Sequence, residues 1–505
     1  MRQRVTLTRP SRESQLCVMK SGQPRRGFAA CVLAALASVV WPGAGHLLVR
    51  ARLKWPVVAL AVLNAMATAS ALVFLLRVRS RADVADVIAD RTVFVVLGID
   101  IAVLAIARLF TAMTAAWAAR PAVSWQRMAA GVSTFAVVSI GVAPLAMAAD
   151  YVWVIDRTVE KVFASDDAIT ATPSPLVTVP GDATSSTFST TSTTLPPATP
   201  FAGYGRVNVL LLGGDAGPGR WSLRTDTMVV VSIDPGTGDT AMISVPRNLP
   251  RLPFPPDTPL GKRFPRGFTD LANAVYPYVN QRPDLVGGAS DAGAQAIKLG
   301  IAQLLGIPIH FYVLVDMAGF VDVVDALGGI DIDVARGVPS PGNPGGAKHQ
   351  VPAYIKAGQQ HMDGTLALAY ARSRHADSDY YRMARQRCVL GAIAAKATPA
   401  ALASGLPELL GALGDAVTTD IPRSSLGDFA VVINRFQANG GLATVRTLHL
   451  APPFYQSSRW KADQVRALVT TVLTPPIVAQ PEPTGSAAPT VAPATTVPAL
   501  AEECR

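Results

Sequence analysis

The sequence lacks the short motifs that mark enzymes with a protein nucleophile or a phosphate-binding loop. It has no G-x-S-x-G elbow and no G-x-x-x-x-G-K-[ST] loop. Ser458 and Lys461 match the Ser-x-x-Lys pattern, but no K-T-G accompanies them. The sequence therefore offers no strong candidate for covalent catalysis.

Metal-binding and charged residues are also scarce. The 4 cysteines and 6 histidines include no C-x-x-C pair and no metal-ligand spacing, so neither a zinc site nor a disulfide framework is expected. Charged residues make up 16% of the chain against 50% hydrophobic ones, and the net charge is +10. Much of that charge lies in residues 1–26, which form a basic cytoplasmic tail before an apolar segment.

Long apolar runs, in contrast, are abundant near the start of the chain. Trp55–Leu76, Val93–Trp117 and Met128–Val154 are each long enough to span a bilayer, which takes about 20 residues. A fourth run, Gly27–Val49, is interrupted by Trp-Pro-Gly and has basic residues on both sides, which favours a re-entrant hairpin. We expect residues 27–154 to form a transmembrane region of about three spans plus this hairpin.

This topology places the rest of the chain outside the cytoplasm. The alternative is four full spans, which would leave the rest of the chain inside. Asp100 and Arg108 lie about two helical turns apart within one span, and we expect them to pair or to reach toward the interface.

Composition divides the remaining chain into three parts. Residues 155–203 are a Ser/Thr/Pro-rich linker, and residues 476–505 are a disordered Pro/Ala/Thr-rich tail, because neither can bury enough apolar surface to fold. Residues 204–475 alternate strand-like runs such as "VNVLLLGG" and "HFYVLVDM" with helical patterns such as Gly288–Gly306. "TMVVVSID" and "GDTAMISVPR" are separated by "PGTG", which predicts a hairpin. We expect an α/β domain built of α-β-α layers.

Charged side chains stand at the ends of these predicted strands. Asp215 follows the first strand, and Asp226 opens the second. Arg224 lies two residues before Asp226, and Arg247 ends the third strand. Carboxylates suit a hard cation such as Mg²⁺, and guanidinium groups bind phosphate in a bidentate manner. Any one of these residues could be a turn cap or a surface charge, but their shared position predicts a site.

A second basic group lies in "LALAYARSRHADSDYYRMARQR", Leu366–Arg387. An extended segment there would place Tyr370, Arg372 and Arg374 on one face. The pattern that follows is helical, so that Arg382 shares a face with the residues three and four positions later. The two parts could then converge on one ligand.

Within the predicted helix the residues differ in their expected roles. Asp379 stands at the helix entrance, and Arg382 and Gln386 are one turn apart. Arg385 is undecided, and Arg387 is expected to be solvated.

In these motifs the sequence resembles the LytR-CpsA-Psr family of cell-wall glycopolymer ligases. The resemblance covers Val207–Lys396 through "NVLLLGGD", "LRTDTMVVVSID", "ISVPRN", "HFYVLVDMAGFVDVVDALGGIDIDV", "GQQHMDGTLALAYARSR" and "SDYYRMARQR". It implies transfer of a glycan from a polyprenyl-pyrophosphate-linked donor to peptidoglycan, outside the membrane and with Mg²⁺ (or Mn²⁺) as cofactor. It also implies a hydrophobic pocket for the lipid, and a phosphodiester link as the product. The multi-span N-terminus resembles actinobacterial members.

The resemblance also suggests roles for individual residues. The implied metal-binding residues are Asp215 and Asp226, and the implied pyrophosphate-binding residues are Arg224, Arg247, Arg372 and Arg374. The implied catalytic set is Asp379, Arg382 and Gln386, with Asp379 as the candidate for deprotonating the acceptor hydroxyl. Where the family often has a lysine, the nearest residue here is Asp270, and Asn248 replaces the usual aspartate.

Other functions remain open at this point. A pyrophosphatase could use the same residues, a wall-binding scaffold would need no catalysis, and an envelope-related transcriptional regulator would need a cytoplasmic domain. Base-reading motifs are absent, so nucleic acid is not an expected partner. The expected partners are the polyprenyl-linked glycan, peptidoglycan and the membrane.

Overall fold

The computed structural model describes residues 26–49, 55–77, 81–164, 200–214, 223–343, 347–374, 379–396, 406–450, 455–456, 459–475, 500 and 504. The chain divides into two compact units. The first comprises residues 1–79 and 91–153, and the second comprises residues 80–90 and 154–505.

The early part of the chain is helical. Its helices are α1 (Phe28–Val40), α2 (Ala44–Leu48), α3 (Trp55–Arg77), α4 (Arg81–Ala89), α5 (Arg91–Ala118) and α6 (Ser124–Val162). By length and composition, α5 and α6 could each cross a membrane, and α1 and α3 are shorter apolar helices over the residues described. Helix α4 and the last turns of α6 belong to the second unit.

The predicted break in the first apolar run is confirmed as a gap between α1 and α2. Arg108 binds the main chain at the end of α1, just before this gap. Its Nε donates to the carbonyl of Val39 at 3.0 Å. Its Nη1 donates to the side chain of Asn64 at 2.9 Å. The same Nη1 also donates to the carbonyl of Leu104 at 3.3 Å. Among the described residues Arg108 therefore bonds to Val39, Asn64 and Leu104 and not to Asp100, because its side chain lies against α1 and α3.

The second unit is built on a mixed six-stranded sheet. Its strand order is β10-β3-β2-β1-β4-β9, in which β1 is parallel to β4 and antiparallel to β2. The described strands are β1 (Val207–Gly214), β2 (Thr225–Ile233), β3 (Thr240–Ser244), β4 (Phe311–Asp316), β5 (Ile330–Val334), β6 (Val338–Pro339), β7 (Tyr354–Ile355), β8 (Gly358–Met362), β9 (Val417–Thr419), β10 (Arg446–His449), β11 (Tyr455–Gln456) and β12 (Arg459–Trp460). The predicted β2–β3 hairpin is confirmed.

Helices cover both faces of this sheet. They are α7 (Pro259–Arg263), α8 (Val275–Asn280), α9 (Ala292–Leu305), α10 (Met317–Ala326), α11 (Gly364–Arg372), α12 (Asp379–Lys396), α13 (Leu406–Ala416), α14 (Leu426–Ala438) and α15 (Ala462–Leu473). Because strand side chains alternate, Leu210 and Leu212 of β1 pack in the core that contains α9 and α15. Val209 packs on the other face with Val432 of α14. The expected α/β arrangement in layers is therefore present.

Helix α11 departs from the sequence prediction, which placed an extended run there. Asp363 caps the helix, and its side chain accepts a hydrogen bond from the amide of Leu366 at 2.9 Å. The alternation of alanine and leucine that suggested a strand is equally compatible with a helix, since both residues are strong helix formers.

The C-terminal end of the chain is attached to the second unit. Cys388 of α12 forms a disulfide with Cys504. Leu500 is buried, and its amide donates to the carbonyl of Val445 at 2.9 Å. The sequence predicted no disulfide framework and did not anticipate this single bond, because the two cysteines are distant in sequence and meet only in the folded chain.

Residues on either side of the Ser/Thr/Pro-rich segment contact neighbouring parts of the domain. The amide of Ala164 donates to the carbonyl of Ile421 at 2.9 Å. After the segment, the amide of Phe201 donates to the Asp428 carboxylate at 3.1 Å, and its ring packs edge-on against Phe429.

Candidate active site

One end of the sheet opens into a cavity of about 1060 Å³ in the second unit. The carboxyl ends of the parallel strands β1 and β4 meet there, together with the start of the antiparallel strand β2. Its described polar lining consists of Arg224, Asp226, Thr227, Arg247, Asn248, Asn273, Asp316, Arg372, Arg374, Arg382 and Gln386. Every site residue predicted from the sequence whose side chain the structure describes is in this set.

The rest of the cavity is apolar. Its side chains come from both sheet and helices, and include Leu211, Val313, Val315, Phe320, Val323, Leu368, Val389, Leu390, Ile393, Leu413 and Val417. The cavity therefore joins a charged end to a hydrophobic chamber, and it is consistent with the lipid pocket that the family resemblance implied.

Asp226 is the centre of the polar end. Its carboxylate forms an ion pair with Arg247 and accepts a hydrogen bond from the Nδ2 of Asn273 at 3.1 Å. Its main-chain oxygen accepts from the Nη1 of Arg382 at 2.9 Å. These contacts bring three other chain segments to Asp226, two at its carboxylate and one at its main-chain oxygen.

The described lining carries an excess of positive charge. The cavity lining includes five arginines and only two carboxylates, Asp226 and Asp316. The side chain of Asp316 also caps α10, where it accepts from the amide of Gly319 at 2.7 Å. A site with this balance, partly shielded from water, favours a ligand with more than one negative charge.

Arg372 and Arg374 reach the cavity by a route that the sequence did not predict. Arg372 is the last residue of α11, and Arg374 follows after the helix has ended. Tyr370 does not share their face: it is buried in a hydrophobic core beside β5 and β8. Burial raises the pKa of the Tyr370 phenol, an effect that the nearby Arg385 guanidinium opposes.

Helix α12 contributes Arg382 and Gln386 to the cavity, as its spacing predicted. Both side chains are buried, and they lie one turn apart. Asp379 begins the helix, but its side chain lies outside the described residues.

Arg387 is fully buried, so the expectation of a solvated side chain was wrong. Its guanidinium donates to the hydroxyl of Ser244 at 2.8 Å and also contacts the ring of His449. It faces the sheet because it lies on a different side of α12 from Arg382 and Gln386. Arg385 does not line the cavity either, and its guanidinium donates to the main-chain oxygen of Ser373.

The residues present fit a hard divalent cation. Asn273 is buried, and its Oδ1 has no hydrogen-bond partner among the described residues although it lines the cavity beside Asp226. A carboxylate and an amide oxygen are typical ligands of Mg²⁺. Asp215 lies outside the described residues, directly after Gly214, which lines the cavity. Within the described part of the chain, no group of three or more His, Cys, Asp or Glu side chains is placed to hold a metal.

Sequence reasoning missed Asn273. The family resemblance implied a lysine near this position, where the nearest residue is Asp270. Asp270 is exposed, and its carboxylate accepts from the amide of Leu271 at 2.7 Å. Leu271 lines the cavity instead. The Asn-Ala pair after the Pro-rich loop was the available signal.

Comparisons with known proteins agree on the family. The family model LytR_cpsA_psr matches residues 180–448, which is more than half of the chain. The chain is 32% identical over 222 residues to the polyisoprenyl-teichoic acid–peptidoglycan teichoic acid transferase TagU of Oceanobacillus iheyensis, covering 44% of this chain and 60% of that protein. It is 30% identical over 200 residues to the polyisoprenyl-teichoic acid–peptidoglycan teichoic acid transferase TagV of Bacillus subtilis. This match covers 39% of this chain and 45% of that protein.

A solved structure is also similar to part of this chain. The crystal structure of Bacillus subtilis TagV has a TM-score of 0.39 and 25% identity, covering 53% of this chain and 95% of that one. The matches to the two curated relatives, TagU and TagV, cover 60% and 45% of those proteins, so the chain spans less than two thirds of their length. On the extent of the family match, this chain belongs to the LytR_cpsA_psr family.

Proposed function

We propose that this protein is a membrane-held phosphotransferase. It would take a glycopolymer from a polyprenyl-pyrophosphate-linked donor and join it to peptidoglycan through a phosphodiester. The observation that carries this proposal is the single cavity that combines an arginine-rich end with an apolar chamber, since a prenyl pyrophosphate has the same two parts. The names of the curated relatives, which are teichoic acid transferases acting on peptidoglycan, support the same substrate class.

The proposed reaction is a displacement at phosphorus. A hydroxyl oxygen of the acceptor attacks the phosphorus next to the glycan. A new P–O bond forms, the bond to the bridging oxygen breaks, and polyprenyl phosphate leaves. The hydroxyl proton passes to a base, for which Asp379 is the candidate. No covalent intermediate on the protein is needed, so the missing nucleophile motifs are accounted for.

The arginines supply electrostatic stabilisation. Arg224, Arg247, Arg372 and Arg374 would bind the pyrophosphate, and charge accumulates on the leaving phosphate as the bond breaks. Arg382 and Gln386 would act from α12 on the same group. The contact of Arg382 with the main chain of Asp226 keeps its guanidinium at the polar end before substrate arrives.

A divalent cation would be held by Asp226 together with Asp215, with Asn273 beside them. When bound, Mg²⁺ or Mn²⁺ would neutralise phosphate charge and polarise the phosphoryl oxygens. The ion pair with Arg247 holds the Asp226 carboxylate at the polar end of the cavity, where this role would be needed.

The membrane arrangement is also a proposal. If α5 and α6 both cross the bilayer, the chain returns to the side on which α5 began. Helix α4, directly before α5, and the chain from Val154 onward belong to one compact unit, as this arrangement requires. The basic N-terminal tail favours the cytoplasm, and α3 would be a third crossing, before α4, so that the catalytic domain lies outside. A reporter fused after Arg505 that gave a cytoplasmic signal would contradict this topology.

The test uses the full-length protein with a polyprenyl-pyrophosphate-linked glycan and peptidoglycan. We expect Mg²⁺-dependent release of polyprenyl phosphate together with a glycan–peptidoglycan product. Asp226→Ala and Arg372→Ala should each lower the rate by about 100-fold or more. Arg282→Ala is the matched control, because Arg282 packs on Tyr278 and does not line the cavity. Full activity in both site variants would refute the assignment, and free glycan phosphate without a joined product would indicate a pyrophosphatase.

A further inference from the structure

We propose that Arg385 is a positioning residue that holds Arg372 and Arg374 in place through the residue between them, Ser373. This inference rests on the proposed function, because it concerns how the pyrophosphate-binding arginines are organised. The sequence pattern alone assigned no role to Arg385.

Ser373 is unusually well fixed for a residue between two cavity-lining arginines. It is buried, with 1% of its surface exposed. Its amide donates to the carbonyl of Tyr370 at 3.3 Å, and its hydroxyl donates to the carbonyl of Pro339 at 2.6 Å. Its own carbonyl accepts from the Nη2 of Arg385. Each polar group of Ser373 thus has a partner, and the partners lie on α11, β6 and α12.

Arg385 is placed to serve this segment rather than the ligand. It is 7% exposed, and its guanidinium carbon lies 6.0 Å from the centre of the Tyr370 ring. Its neighbours on α12, Arg382 and Gln386, line the cavity, whereas Arg385 does not. Helix α12 therefore supplies two side chains to the cavity lining and a third, Arg385, that holds the main chain at Ser373.

The physical consequence is preorganisation. Ser373 has an extended backbone, with φ −56° and ψ 135°, so it separates the end of α11 from Arg374. Fixing that backbone limits the directions in which Arg372 and Arg374 can leave the main chain. Bidentate binding of a phosphate requires such a limited geometry, and a displacement of about 1 Å can cost roughly 100-fold in rate.

The experiment separates the two halves of the cavity with two probes. Geranyl pyrophosphate needs the arginines and the apolar chamber, whereas geraniol needs only the chamber. Binding of each is measured by calorimetry on the full-length protein, alongside donor turnover. We expect Arg385→Met to weaken geranyl pyrophosphate binding roughly 10- to 100-fold and to leave geraniol binding unchanged.

Two further variants test the route through Ser373. Arg385→Lys keeps a cationic donor for the Ser373 carbonyl and should restore part of the loss. Ser373→Ala removes only the bond to Pro339 and should weaken the pyrophosphate probe about fivefold. The control is Arg435→Met, because Arg435 also donates to a main-chain carbonyl, that of Pro235, but does not line the cavity.

The outcomes are distinct. Equal loss of both probes in Arg385→Met would mean a merely structural role and would overturn the inference. So would unchanged binding in Arg385→Met when Arg372→Ala is impaired. If Arg372→Ala has no effect, or the native protein does not bind geranyl pyrophosphate, the proposed function itself fails and the inference fails with it.

Discussion

Removing the disulfide between Cys388 and Cys504 is expected to loosen the helix that carries Arg382 and Gln386. The two cysteines are separated by 116 residues along the chain. Closing a loop of roughly this length gives about 4.7 kcal/mol in the chain-entropy model, and measured contributions are typically about 2–4 kcal/mol. Since about 1.4 kcal/mol corresponds to a factor of ten, the opening equilibrium of α12 should increase roughly 30- to 1000-fold.

Hydrogen–deuterium exchange read by mass spectrometry measures this directly in the full-length protein. The double variant Cys388→Ser with Cys504→Ser should show faster amide exchange in peptides from α12 and β10, because Leu500 then loses its tether beside Val445. Donor turnover should fall with it, since Arg382 and Gln386 are on the same helix.

A matched control is available within the chain. Cys31 is a free, buried cysteine of the first unit, and Cys31→Ser should leave exchange in α12 unchanged. A thiol reductant should reproduce the effect in the native protein and have none in the double variant. If exchange in α12 of the double variant stays within about twofold of the native rate, the disulfide does not stabilise the site and the reasoning is wrong.

Three other predictions concern single residues. Burial and the Lys298 ammonium lower the pKa of His310 to about 4 from 6.5, and its Nδ1 accepts from the Asn208 amide at 2.9 Å. The unfolded state therefore binds more protons below pH 6.5, so about 3 kcal/mol of stability should be lost as the pH falls from 6.5 to 4. His310→Asn should flatten this pH dependence in denaturant titrations, and an unchanged profile would contradict it. Asn273→Leu should weaken Mn²⁺ binding roughly tenfold, as measured by electron paramagnetic resonance. An unchanged Mn²⁺ affinity would show that the amide oxygen of Asn273 is not part of the cation site. Leu271→Lys should tighten geranyl pyrophosphate binding up to about fivefold at low salt, and a gain that persists at high salt would argue against a charge effect.

The strand-end residues could be predicted from the sequence because strand geometry left little choice. Apolar runs ending in glycine or charge mark β1, β2 and β3. In a sheet where β1 and β2 are antiparallel, the end of one lies beside the start of the other, so Gly214 and Arg224–Asp226 come together. Local patterns therefore predicted these cavity-lining residues, whereas Asp215, the proposed second metal ligand, lies outside the described residues.

The conformation around Arg372 could not be predicted in the same way. A run of alanine and leucine with one tyrosine fits either period, and strand and helix are ambiguous for such short apolar runs. The helix is favoured by the cap at Asp363 and by the core into which Tyr370 packs. Both arginines reached the cavity nonetheless, because the chain leaves the helix directly after Arg372.

Buried partners that are distant in the chain were the least predictable feature. Charge alone suggested a solvated Arg387, but Ser244 and His449 surround its guanidinium, and Cys388 pairs with Cys504. None of these contacts leaves a trace in helical periodicity, because each depends on how strands from other parts of the chain meet α12. A sequence pattern can assign a residue to a face of a helix, but only the tertiary fold decides what lies against it.

The described residues on both sides of the Ser/Thr/Pro-rich segment belong to the second unit and pack within it. If the Ser/Thr/Pro-rich segment alone linked the early helices to the domain, the chain before that segment would have no need to contact the domain. Instead Asp156, near the end of α6, forms a buried ion pair with Arg423 at 2.7 Å, and Ala164 bonds to Ile421. After the segment, the ring of Phe201 packs against Phe429, which is close in sequence to Ile421 and Arg423. The chain on both sides of the Ser/Thr/Pro-rich segment is therefore fixed to one region of the second unit, through Asp156 and Ala164 before it and Phe201 after it.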